Sequence, residues 1–85
     1  MPFSLNLPAT CGTRWKVKIF DKERLEPPHA TIIRGRKLWR ICLRTQSGLD
    51  GSDLSEVDGK VLEEVLGRMD ELIDAWNERY PDNPV

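Results

Sequence analysis

From Val61 to Tyr80, apolar side chains return at intervals of three and four: Val61, Leu62, Val65, Leu66, Met69, Leu72, Ile73, Trp76 and Tyr80. That period puts them on one stripe of a helix. The opposite face carries Glu63, Glu64, Asp70, Glu71, Asp74 and Glu78. A helix that is apolar on one side must lie on another layer, and 85 residues leave room for one domain only. The spacing predicts a single long helix over 53–80, ended by Pro81. Ser55-Glu56-Val57-Asp58 approximates a capping box, with Asp53-Leu54-Ser55-Glu56 as an earlier start. Gly67 costs about 1 kcal/mol relative to Ala and is read as a point of close approach to the sheet.

The preceding residues supply that second layer. Arg14 to Phe20 alternates, with Trp15, Val17 and Ile19 on one face and Arg14, Lys16, Lys18 and Phe20 on the other. Period two means a half-buried strand. A polar loop runs from Asp21 to Pro28, stiffened at its end by Pro27 and Pro28. Residues 29–33 and 37–44 are rich in β-formers, and Gly35-Arg36 between them suits a two-residue hairpin turn with glycine first. That turn sets the register, from Arg34 opposite Lys37 to His29 opposite Cys42. One face then holds Ala30, Ile32, Trp39, Ile41 and Leu43, all apolar, which supports the pairing. Thr45 to Ser52 is turn chemistry with a short strand near Leu49, and Phe3 to Leu7 alternates as an edge strand between prolines.

The expected fold is α+β: a small antiparallel sheet of three to four strands covered on one face by a single long C-terminal amphipathic helix. The chain reads as one domain, 1–85. Residues 1–13 form an irregular segment or edge strand, 14–52 a β-meander, 53–80 the helix and 81–85 a tail. A chain this short buries a modest share of its surface, which favours self-association into a dimer.

Charge is divided between the two layers. Residues 1–50 hold ten lysines and arginines against four acids, and residues 51–85 hold three against ten. Such asymmetry points to charged partners. Lys16, Lys18, Arg40 and Arg44 fall on the face away from the helix, with Arg34, Arg36 and Lys37 at the hairpin tip. This basic surface suits an acidic protein partner, or the phosphates of a nucleic acid. As an ordinary solvated face it would instead resist edge pairing. No apolar run approaches the roughly 18 residues of a membrane span, so no membrane partner is expected. Met1 to Pro8 lacks the pattern of a secretory signal, and the chain is expected in the cytoplasm with Cys11 and Cys42 reduced.

His29 follows two prolines and opens a strand, which holds it rigidly. Opposite Cys42 it could activate a thiolate, but the sequence supplies no third group to orient the ring. A structural histidine bonded to backbone across the hairpin is the plainer reading, with partner binding as the functional one. Asp50, Asp53, Glu56 and Asp58 do not match a calcium loop and instead complement a helix N-terminus. Trp76 and Tyr80 read as core. No zinc spacing, phosphate loop or nucleophile elbow is present, so no cofactor, metal or catalytic residue is assigned.

The run Pro27-Pro28-His29-Ala30-Thr31, after a strand and before a hairpin, resembles a family of short bacterial proteins marked by a Pro-Pro-His-Phe-His segment. A glycine turn near Gly51, one terminal helix and the Ala75-Trp76-Asn77 ending extend the resemblance over residues 14–80. Members often accompany toxin–antitoxin-like gene pairs, which implies a protein partner. Thr31 stands where the second histidine would be and Ala30 where the phenylalanine would be, so two-histidine chemistry is not implied. The resulting expectation is a small binding or regulatory module. Its docking surface would be centred on Arg40 and Arg44, extended by Lys16, Lys18, Arg34 and Arg36 and flanked by His29. The alternatives are a nucleic-acid-binding domain using the basic sheet face and a small ribonuclease-type toxin dependent on His29.

Overall fold

The computed structural model describes residues 3–20 and 26–85. Five strands, β1 (Phe3–Leu5), β2 (Trp15–Ile19), β3 (His29–Arg34), β4 (Lys37–Cys42) and β5 (Gly48–Leu49), form one antiparallel sheet in sequence order. Two helices follow, α1 (Gly59–Gly67) and α2 (Met69–Arg79), with short 3-10 turns at Ala9–Cys11 and Leu54–Glu56. The architecture is α+β, with five strands in place of three to four because both short candidate segments pair. Positions 21–25 of the expected polar loop lie outside the described residues.

The β3–β4 register is the expected one, from Arg34 opposite Lys37 to His29 opposite Cys42. Gly35 has φ +59°, the left-handed value that a glycine-first hairpin turn requires. A second tight turn, Leu49 to Ser52, has Asp50 and Gly51 both at positive φ, closed by Ser52 N donating to Leu49 O at 3.1 Å. It returns the chain so closely on β5 that a Cβ on Gly48 would lie 1.9 Å from the Ser52 carbonyl oxygen.

The helices pack on the face holding Val17, Ile19, Ile32 and Ile41, where Val61, Val65, Leu72 and Trp76 are fully buried. The stripe is as expected except at Leu66, which is 39% exposed. The single long helix is corrected to two. Arg68 between them leaves helical geometry (φ −119°, ψ 29°), and its N–H is shared between the Glu64 and Val65 carbonyls. Gly67 lies beside this break. A Cβ there would meet nothing within 4 Å, so its expected close approach to the sheet does not occur. The weak helix propensity of glycine accounts for the break more simply. The start is also corrected. Asp53 accepts from Ser55 N to cap the 3-10 turn, and Asp58 accepts from Lys60 N to cap α1, in place of a capping box at Ser55.

Residues after α2 fold back on the sheet. Trp76 Nε1 donates to Asn83 O at 2.7 Å, and Asn83 Nδ2 donates to Glu26 O at 2.7 Å. Tyr80 donates its hydroxyl to Phe20 O, and its ring lies 4.2 Å from that of Trp76. Both side chains are core, as expected. Cys11 and Cys42 are buried and free.

Candidate functional site

The register builds two rows across the sheet face that points away from the helices. Lys16, Ile33 and Leu38 form one row, and Lys18, Thr31 and Arg40 form the next. Leu38 is 55% exposed, the most open large apolar side chain among the described residues, and Lys16 is exposed at the other end of the row, across Ile33. Lys18, Ile33 and Arg40 are half-buried, while Thr31 between Lys18 and Arg40 is 2% exposed. That pattern fits long basic side chains laying their stems across the sheet, deeply enough at Arg40 that its Nε is buried without a hydrogen-bond partner. Arg40 Nη1 is 3.6 Å from Asp50 Oδ2. An exposed pair of this kind contributes at most about 1 kcal/mol and leaves the guanidinium free to exchange partners.

The other expected members of the surface separate. His29 is 0% exposed and is withdrawn from it. Its Nδ1 donates to Pro27 O at 2.9 Å, its Nε2 lies 3.8 Å from Glu26 Oε2, and its ring is 5.6 Å from that of Trp76. Its register opposite Cys42 is the expected one, but Thr31 and Cys42 are buried with it, so this end of the sheet is not open. The backbone bond is local, two residues back, not across the hairpin. The imidazole is closed to a partner or a substrate. Arg44 is exposed, but its Nη2 donates to Pro84 O at 2.8 Å, fixing it to the tail beyond the end of β4.

Cys42 faces His29 in the register, yet it answers to its own turn. Burial pushes its thiol up. Hydrogen bonds from Thr45 and the backbone of Arg44, with the Arg44 charge, outweigh that and hold it below its ordinary value.

Arg34 and Arg36 belong to a second place. Trp15 pairs with Arg34, so this arginine lies on the helix side of the sheet, its Cζ 5.3 Å from the Trp15 ring centroid. Trp15 in turn is 5.5 Å from Trp39. Arg14, expected with Lys16 and Lys18, joins Arg34, Arg36 and Lys37 around an open groove of about 710 Å³ at the hairpin end of the sheet. Glu56 closes one side, its Oε1 accepting from Trp39 Nε1 at 3.1 Å. Sequence reasoning missed this groove because it depends on the β2–β3 register. A long loop sets that register, where no tight turn fixes it.

No family model, curated protein or solved structure matches the chain. No helix among the described residues is long and apolar enough to cross a membrane. Fold and site together define a two-layer α+β domain with one open, basic sheet face.

Proposed function

We propose that this chain is a small binding module that docks an acidic surface of a partner protein on the open face of its sheet. The observation that carries this reading is Leu38, more than half exposed, next to Ile33 across the strands and Arg40 along its own, with Lys16 and Lys18 at the far ends of the two rows. An apolar centre within a charged rim is the usual anatomy of a protein interface. Desolvated nucleic-acid platforms are instead aromatic, and no tryptophan or tyrosine lies in these two rows. Charge complementarity sets the partner's chemistry: the rim is cationic, so carboxylates must meet it.

The test is charge reversal at Lys16 and Arg40. The expected result is that K16E/R40E loses an acidic protein that wild type co-purifies with from the native cell and rebinds when purified, with thermal unfolding unchanged within a few degrees. Rebinding by the variant at wild-type affinity would remove this face from the interaction. A second copy of the chain, or RNA, recovered in place of an acidic protein would assign the face to a different occupant.

A further inference from the structure

The groove at the hairpin end shares no residue with the two central rows of the docking face, and its composition is that of a ligand site. Arg14, Arg34, Arg36 and Lys37 come from the start of β2, the end of β3, the turn and the start of β4. The fold thus brings four positive charges to one opening. Among the described residues, none of the four has a carboxylate within ion-pair distance. Four like charges facing one carboxylate, Glu56, that pairs closely with none of them still repel one another, and an anion relieves that repulsion. A phosphate meets the need best, because guanidinium groups bind it through paired N–H donors.

Two further features narrow the ligand beyond a bare phosphate. The first is an aromatic–guanidinium cluster. Trp39 and Trp15 have ring centroids 5.5 Å apart with planes tilted by 33°, and the Arg34 Cζ lies 5.3 Å over the Trp15 ring on an exposed residue. A planar base can stack on an exposed guanidinium, a mode by which unpaired bases are held. The second is Glu56. A carboxylate at the edge of a cationic groove weakens binding of a simple anion, but it accepts hydrogen bonds from a sugar hydroxyl or an exocyclic amine. Its orientation is fixed by Trp39 Nε1. The volume, about 710 Å³, falls within the range of small-ligand sites, roughly 300–1,000 Å³.

From this combination we infer that the hairpin-end groove binds a nucleoside phosphate: the phosphate among Arg14, Arg36 and Lys37, the base on Arg34, and the sugar or base edge on Glu56. The same chemistry is presented by a free nucleotide and by one unpaired residue of a single strand.

Tryptophan fluorescence of the full chain, titrated at low salt, tests this. The probes are AMP, a single-stranded RNA pentamer, ribose 5-phosphate and inorganic phosphate. Saturable quenching by AMP or by the pentamer is expected, at least tenfold tighter than any response to ribose 5-phosphate or inorganic phosphate. Equal affinity for AMP and the pentamer assigns the site to free nucleotides, and tighter binding of the pentamer assigns it to a strand. R34A is expected to weaken binding at least tenfold, R36E to abolish it, and L66A, an uncharged change on α1, to leave it unchanged. Circular dichroism confirms that each variant is folded. No saturable response to either base-bearing probe at millimolar concentration would overturn the assignment. Equal binding of ribose 5-phosphate, or full retention of binding in both R34A and R36E, would overturn it too.

Discussion

Trp39 donates its indole N–H to the Glu56 carboxylate across 17 residues of chain, at 3.1 Å. The bond ties the sheet to the 3-10 turn that leads into α1, so the helix layer is held at its entry as well as by its apolar stripe. Replacing Trp39 with Phe removes the donor and part of a buried ring while keeping an aromatic. The expected loss is about 1–3 kcal/mol in urea unfolding, from the missing hydrogen bond and the space left behind. E56Q keeps an acceptor and should lose less than half as much.

The returning tail closes the far end of the core in a similar way. Asn83 offers its carbonyl to Trp76 and its side-chain N–H to Glu26 O. Truncation to Ala keeps the first bond and removes the second, and N83A is expected to lose about 1 kcal/mol or more in urea unfolding.

Two glycines make opposite predictions. At Gly48 a methyl group would press into the Ser52 carbonyl, so G48A should be strongly destabilised, by about 2–4 kcal/mol, and should disturb β5. At Gly67 a methyl group meets open space in a helical residue, so G67A should stabilise the fold by roughly 0.5–1 kcal/mol. Melting temperatures of the pair should move in opposite directions.

Acid should loosen the helix break. A hydrogen bond from Arg68 holds the Glu71 carboxyl below its ordinary value of 4.5, against the opposing effect of burial and helped by the Arg68 charge. A lowered pKa in the folded state means stability that is present above the ordinary value and lost as pH falls through the lowered one. Asp53, held below 3.8 chiefly by Ser55, adds a contribution of the same sign. Stability should therefore fall on acidification below about pH 4.5, with a shallower slope in R68A, because that variant no longer favours the ionised Glu71. Urea midpoints taken across that range check both statements.

What the sequence made legible follows from what periodicity encodes. Gly35 and the clean apolar segregation fixed the β3–β4 register, because a two-residue turn leaves only one pairing that buries Ile32, Trp39 and Ile41 together. The break at Arg68 was invisible. A single non-helical residue barely changes the phase of the stripe, so Val65, Met69 and Leu72 remain buried on both sides of it. His29 was misplaced because alternation gives a residue's parity but not what covers it, and its ring is buried 5.6 Å from that of Trp76. Leu38, Lys16 and Arg40 were correctly set facing away from the helices. The hairpin-end groove was not foreseen, since Arg34 meets Trp15 only through a register that no local signal fixes.

The two most exposed large apolar side chains among the described residues stand on different layers of the fold. Leu38 stands on the open sheet face and Leu66 on a helix. A photo-crosslinking amino acid at position 38, activated in the native cell, should join the chain to an acidic protein. The yield should fall with added salt and vanish with K16E, and the same group at position 66 should give no such product. An identical product from both positions, or a product at 66 alone, would contradict the assignment of the open sheet face as the docking surface.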